Sequence, residues 1–120
     1  MAKVPEGDAG FVLDMILAAR DARSFLDGMD EASFQASRLH QNAVIRSLAV
    51  IGEAAGRLSP SLRAAHPEIP WSEIIGMRHR LIHGYESVRL ELVWIVVSER
   101  LGPLVTALEQ IVPSEGDTTS

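Results

Sequence analysis

Apolar side chains recur every three or four residues through most of the chain, a spacing that predicts amphipathic helices. The first such segment predicts a helix from about Ala9 to Leu26, with Asp8 as its N-cap and Gly28 marking its end. The inner face of this helix is predicted to comprise Phe11, Val12, Met15, Ile16, Ala18, Ala19 and Ala22.

A second long helix is predicted from Glu31 or Gln35 to Leu58, and Asp30 is placed to cap its start. Four polar residues on another side of this helix are interpreted as a solvated face: Asn42, Arg46, Glu53 and Arg57. The buried stripe is predicted to comprise Leu39, Ala43, Val44, Leu48, Ile51, Ala55 and Leu58.

Prolines then divide the chain. Ser59 followed by Pro60 is typical of a helix start and predicts a short helix to about Ala65. Two prolines exclude a helix over residues 66–70, because each removes a donor and disfavours helical geometry in the residue before it. A further helix is predicted to open at Pro70–Trp71.

The last third of the chain predicts the end of that helix and one more. Gly84 is a natural stop, and Ser87 is expected to cap a last long helix that Gly102–Pro103 should kink or break. Its apolar positions are Leu92, Val93, Val96, Val97, Leu101, Leu104, Val105, Leu108 and Ile111.

No segment shows the alternation typical of a strand. Helices joined by short connections predict an all-α fold, an antiparallel bundle of four long helices plus a short helix. We expect a single domain over residues 8–112, with flexible tails at 1–7 and 113–120.

Composition narrows the class of protein. The 120 residues include no cysteine, which excludes disulfides, cysteine zinc sites and a cysteine nucleophile. The first ten residues lack the apolar core of a signal peptide, and the best apolar run, residues 90–97, is far shorter than the ~20 residues of a membrane span. We expect a cytoplasmic protein with no membrane partner.

The net charge of −5 argues against nucleic acid, but the charge is polarised. Residues 57–89 carry five arginines against three acids, whereas the remainder carries six basic and thirteen acidic residues. Ten of the eleven basic residues are arginine, which suits bidentate contacts with phosphate. Taken alone, this distribution is typical of an ordinary solvated surface.

The densest chemistry lies in residues 78–85, where Arg78, His79, Arg80, His83 and Tyr85 follow one another closely. These side chains bind phosphate, transfer protons near neutral pH and offer a hydroxyl. On a persistent helix, Arg78 and Tyr85 share a face, but Arg78 and His83 diverge by ~140°.

A single straight helix therefore cannot aim Arg78 and His83 at one small ligand. Either Gly84 lets the helix end distort, or a second copy of the chain completes the site. In a two-fold dimer, two copies of each side chain would surround one cleft. Histidine can then act as general acid or base, and arginine can stabilise the charge on a phosphorane, so that RNA is cleaved without a metal ion.

Two other interpretations of the segment stay open on spacing alone. Histidine is favoured near a helix C-terminus by the helix dipole, and a buried Tyr85 would simply tie the bundle together. Alternatively, His79 and His83, four residues apart, could chelate zinc. However, Arg80 occupies the position where the zinc-protease helix motif has glutamate, and no third ligand is obvious.

The motif Arg78-x4-His83-x-Tyr85 resembles that of the HepT-like toxins of the HEPN superfamily. The resemblance extends from about residue 37 to 105. One departure is His79, where close relatives usually carry asparagine. Five further blocks resemble the family in the same order: residues 51–55, 58–59, 66–71, 74–78 and 90–94.

This resemblance implies a homodimer, or a larger assembly, with the motif at its interface. It implies a metal-independent ribonuclease toxin of a type II/VII-like pair, without a cofactor, in which Arg78 and His83 are catalytic and His79 and Arg80 support them. It implies RNA as substrate and a minimal nucleotidyltransferase as antitoxin, which neutralises the toxin by transferring AMP to Tyr85.

A non-catalytic alternative uses the same bundle as a binding module that docks a nucleotidyltransferase or a nucleotide. The intact pair of Arg78 and His83 distinguishes the two hypotheses, since a pure adaptor has no need of it.

Overall fold

The computed structural model describes residues 7–83 and 88–112, apart from the side chains of Ile82 and His83. All regular structure in these residues is helical, as the sequence predicts. The elements are α1 (Asp8–Phe25), α2 (Glu31–Gln35), α3 (Arg38–Arg57), α4 (Pro60–Ala65), α5 (Trp71–His83), α6 (Leu90–Ile95), a π-helical turn (Val96–Arg100) and α7 (Leu101–Ile111).

Four long helical segments form the bundle, namely α1, α3, α5 and the continuous run from α6 to α7. Helix α3 packs against α1 on one side and α5 on the other, and α7 packs against α1. The connections contain two short helices rather than the single one predicted, because α2 is separate from α3. The helix with the predicted site residues, α5, is therefore held by the central helix of the bundle.

The start of α1 differs from the prediction. Gly7 occupies the N-cap position, and Asp8 lies buried inside the first turn. The carboxylate of Asp8 accepts hydrogen bonds from the backbone N–H of Ser59 at 3.0 Å and from its hydroxyl at 2.5 Å. Asp8 thus joins α1 to the start of α4, 51 residues later, instead of capping its own helix.

The end of α1 follows the prediction at Gly28. Its φ of 77° lies in the left-handed region, which glycine adopts without the steric cost that a β-carbon brings. Asp30 then caps α2 as predicted, since its carboxylate accepts the backbone N–H of Ser33 at 2.8 Å. Hydrogen bonds from the backbone and side chain of Ser33 lower the pKa of Asp30.

The predicted second helix is interrupted at Ala36 and Ser37. Ser37 caps a new helix, α3, by accepting the backbone N–H of His40 at 3.3 Å. Ser59 caps α4 as predicted, accepting the backbone N–H of Leu62 at 3.2 Å, with Pro60 in the first turn. The break at Ser37 turns the short α2 so that Phe34 is fully buried against the ring of Trp94.

The last helical run begins at Leu90, with Arg89 rather than Ser87 at its N-cap position. The predicted disruption near Gly102–Pro103 takes the form of the π-helical turn immediately before α7, and the chain stays helical through it. Proline has no N–H to donate and crowds the carbonyl four residues earlier, here that of Glu99 inside the π turn. Widening this turn accommodates Pro103 without breaking the helix.

The predicted core is confirmed at most positions, with two corrections. Leu39 is 75% exposed in the first turn of α3, which begins one residue before it. Leu92 is 48% exposed on α6. Residues buried as predicted include Val12, Met15, Ala19, Val44, Leu48, Ile51, Ala55, Val97 and Leu108.

The four polar residues predicted to form a solvated face of α3 are all exposed. Two of them, Arg57 and Glu53, form an i,i+4 ion pair at 3.4 Å. In the described ranges, no helix combines the length and the apolar character that crossing a membrane requires.

Candidate active site

Helix α5 carries four of the five residues that the sequence singles out: Arg78, His79, Arg80 and His83. Tyr85 lies outside the described residues. Because α5 continues as one helix to His83, the residues Arg78 and His83 diverge by ~140° around its axis. The alternative in which Gly84 distorts the helix end also lies outside the described residues.

The N-terminal end of α5 is fixed by Trp71. Its indole N–H donates to the backbone carbonyls of Arg63 at 3.1 Å and His66 at 3.0 Å. Both carbonyls belong to the end of α4, so one buried side chain links the two helices. Ile74 and Leu81 are buried farther along α5 and anchor it in the core.

The middle of α5 lies in close contact with α3 at Gly52. A β-carbon placed on Gly52 would collide with the Cβ of Arg78 and would lie 3.0 Å from the carbonyl oxygen of Ile74. Only glycine allows the two backbones this separation. Gly52 thus determines where the side chain of Arg78 leaves the helix.

Arg78 is half-buried at this contact. Its Nε is buried and has no hydrogen-bond acceptor among residues 7–83 and 88–112. A buried donor without an acceptor is costly, and a charged guanidinium gains most from an anionic oxygen. The arrangement is therefore suited to binding a phosphate or another oxyanion.

His79 and Arg80 are both exposed on α5, one and two residues beyond Arg78. The described ranges contain no group of three or more histidine, aspartate or glutamate side chains placed to hold a metal ion. The side chain of His83, which the zinc interpretation pairs with His79, lies outside the description.

Three residues that support the site were not predicted from the sequence as functional. Gly52 positions Arg78, Trp71 fixes the start of α5, and the Nε of Arg63 is a second buried donor without an acceptor in the described part of the chain. The only sequence signal for Arg63 is its place in the arginine-rich stretch of residues 57–89.

The chain is similar to known proteins over a region that includes the candidate site. The sequence model of a family described as "Ribonuclease HepT-like" matches residues 15–111. "Putative RNase MJ1380" of Methanocaldococcus jannaschii is 35% identical over 89 residues, which are 74% of this chain and 82% of that protein. "Putative RNase MJ0127" of the same organism is 31% identical over 110 residues, covering 91% of each chain.

A third relative, "Probable ribonuclease HepT" of Thermococcus cleftensis, is 38% identical over 78 residues, which are 65% of this chain and 71% of that protein. No solved structure matches the chain significantly.

Proposed function

This chain belongs to the ribonuclease HepT-like family, and from that premise we propose that it is an endoribonuclease that cleaves RNA without a metal ion. The observation that carries the proposal is the side chain of Arg78. Its Cβ packs against Gly52, and its Nε is buried without an acceptor among the described residues, five residues before a histidine on the same helix. A phosphodiester supplies the missing oxyanion.

The proposed reaction uses the nucleophile that RNA carries. The 2′-hydroxyl loses its proton to one imidazole and attacks the adjacent phosphorus, and the bond to the 5′-oxygen of the next nucleotide breaks. A second imidazole gives its proton to that leaving oxygen. The products are a 2′,3′-cyclic phosphate and a free 5′-hydroxyl, and arginine stabilises the added charge of the phosphorane between them.

This reaction requires a base and an acid on opposite sides of the phosphorus, and we propose that two copies of the chain supply them. His83 and Arg78 of one helix diverge by ~140°, so a two-fold axis beside α5 is needed to bring two of each together. Leu92 and Ile95 support this association, because both are exposed apolar residues on α6, the next helix after the motif.

We further propose that the activity is that of a toxin in the cytoplasm, restrained by a minimal nucleotidyltransferase antitoxin. The partner would transfer AMP from ATP to the phenol of Tyr85, with release of pyrophosphate. The phosphate of the AMP would compete with RNA for Arg78, and the adenosine would obstruct the cleft. His79 and Arg80 would support substrate binding from the exposed side of α5.

The deciding experiment compares the purified chain with His83→Ala and Arg78→Ala in cleavage of a labelled single-stranded RNA. Loss of proton transfer should lower the rate ~10²–10⁴-fold, and loss of the arginine ~10²–10³-fold. His79→Ala, one residue from Arg78, should lower the rate less than either substitution, because the proposal gives His79 only a supporting role. Circular dichroism establishes that each variant is folded.

Folded His83→Ala protein with full cleavage activity would contradict the proposal. The non-catalytic binding module would then be the better account of the fold.

A further inference from the structure

A groove lies between α4 and α5. It has a volume of about 590 Å³. Its walls are formed by Pro60, Arg63 and Ala64 from α4 and by Trp71, Ser72, Ile75 and Gly76 from α5. We refer to it as the α4–α5 groove.

Two arginines border this groove. Arg63 lines it directly, and its Nε is buried without a hydrogen-bond acceptor among the described residues. Arg80 reaches the groove over Gly76, since a β-carbon placed on that glycine would lie 3.6 Å from the Nη1 of Arg80. Neither arginine is within ion-pair distance of a carboxylate in the described part of the chain.

Two carboxylates of the described residues, those of Glu68 and Glu73, are close in sequence to the groove but lie outside its lining. Glu68 lies 3.6 Å from the ring of His66, and Glu73 is exposed on α5 outside the groove lining. In a chain of net charge −5, a groove with Arg63 and no acid in its lining, and with Arg80 beside Gly76 at its edge, is complementary to an anion.

The groove is also held rigid. The indole of Trp71 donates to the carbonyls of Arg63 and His66, which fixes the end of α4 to the start of α5. The rest of the lining is mainly apolar, with Pro60, Ala64 and Ile75. Such a surface suits the face of an unstacked base while arginines bind the adjoining phosphates.

The position of the groove relates it to the proposed active site. Positions 72, 76, 79 and 83 follow at intervals of four, three and four residues, so one side of α5 leads from the groove to the end of the helix. Gly76 and position 83 are separated by about 10 Å along the axis. A single strand of RNA covers that distance within a few nucleotides.

We infer that the α4–α5 groove binds the backbone of the single-stranded RNA substrate a few nucleotides from the cleaved bond, with Arg63 and Arg80 on its phosphates. This inference rests on the proposed ribonuclease function and assigns the groove to the same substrate. Long RNA uses the groove, whereas a dinucleotide, whose only internucleotide phosphate is at the cleaved bond, does not reach it.

The test measures binding separately from cleavage. In a His83→Ala background, the affinity for a fluorescent 20-nucleotide single-stranded RNA is measured by anisotropy at several salt concentrations. Adding Arg63→Gln should weaken binding about 3- to 10-fold and reduce the slope of log K against log salt by about 0.7. Arg100→Gln removes the same charge from an exposed residue of the π-helical turn and should leave both unchanged.

Ser72→Glu provides a second variant that does not depend on the packing of Arg63. It places a carboxylate in the groove lining, and the first turn of a helix favours an acidic residue. It should weaken binding at least as much as Arg63→Gln. In the active parent, both variants should slow cleavage of the 20-nucleotide RNA and leave cleavage of a dinucleotide unchanged.

The outcomes separate this inference from the proposed function. If RNA binding depends on Arg63 but cleavage does not depend on His83, the inference that the groove binds RNA is supported and the proposed ribonuclease function is contradicted. Cleavage that depends on His83, with full affinity and salt slope in both groove variants, would overturn the inference. The inference would also be overturned if the groove variants bound RNA normally but lost binding to the nucleotidyltransferase. The groove would then be a protein-docking surface.

Discussion

Gly52 of α3 and Arg78 of α5 are in close contact, and the missing side chain of Gly52 makes room for the Cβ of Arg78. Glycine costs a helix interior about 0.5–1 kcal/mol relative to alanine. At this position the cost is offset by a backbone contact that holds Arg78 in place. The contact therefore connects the stability of the bundle to the geometry of the proposed active site.

Gly52→Ala should destabilise the protein and impair cleavage together. The new methyl group meets the backbone and Cβ of α5 rather than the flexible end of a side chain, so α5 must shift. Such overpacking typically costs about 1–3 kcal/mol of unfolding free energy. A displacement of Arg78 by about 1 Å could lower the rate ~10²-fold. Urea unfolding and RNA cleavage below the unfolding transition measure the two effects.

Gly56→Ala is the matched control, one turn later on the same helix. A β-carbon on Gly56 meets no atom within 4 Å, so the substitution should stabilise the helix by about 0.5–1 kcal/mol and leave cleavage unchanged. Equal stability and activity in the two alanine variants would show that the close approach does not constrain Arg78.

The difference between these two glycines marks a limit of sequence reasoning. Both stand in the same helical pattern, and only the packing of α5 distinguishes them. Asp8 is a similar case. A local pattern predicts that it caps α1, but a serine 51 residues away offers it two hydrogen bonds that no local rule contains.

Helix caps could be predicted from the sequence where the two hydrogen-bonding partners are close along the chain. Asp30 and Ser59 cap their helices as predicted, since each needs only a backbone N–H three residues ahead. The break at Ser37 was missed because the apolar spacing continues across it, although serine is a favoured cap. For the site, the sequence identified α5 and its charged residues, whereas Arg63 and Trp71 join it only through the contact between α4 and α5.

Subunit mixing tests whether the active site is shared between two chains. If one cleft needs His83 from both copies, a dimer of parent and His83→Ala chains is inactive. Equal amounts of the two chains, co-refolded to random dimers, should then retain roughly a quarter of the activity of an equal total amount of parent. Independent sites would retain roughly half.

The control for mixing uses the Gly56→Ala chain, which should leave the activity of the mixture unaltered. Sedimentation at micromolar concentration accompanies the assay. A protein that sediments only as a monomer and still cleaves RNA would contradict the composite site.

Cleavage should persist in excess EDTA, because proton transfer by His83 and charge stabilisation by Arg78 require no Lewis acid. The assay is run on protein dialysed against chelator, with a zinc-dependent nuclease as the control that must lose activity. Stoichiometric zinc in the purified protein, with activity lost on chelation and restored by zinc, would instead favour the site formed by His79 and His83.

The last prediction distinguishes a regulated toxin from an unregulated nuclease. Tyr85 is the only tyrosine in the chain, so the addition of one adenylyl group to a tyrosine can be assigned without ambiguity. With the nucleotidyltransferase partner, ATP and Mg²⁺, the chain should gain the mass of one such group and lose RNA cleavage. The added phosphate carries a negative charge close in sequence to Arg78, whose Nε lacks an acceptor in the described structure.

Tyr85→Phe keeps the aromatic ring and removes the oxygen that accepts AMP. This variant should cleave RNA at close to the parent rate, remain unmodified and stay toxic when the partner is co-expressed. The control is a partner whose nucleotide site is disabled. It should fail to protect cells from the parent chain, just as the active partner should fail to protect them from Tyr85→Phe. Protection by that inactive partner, with Tyr85 unmodified in the mass spectrum, would mean that docking alone neutralises the nuclease.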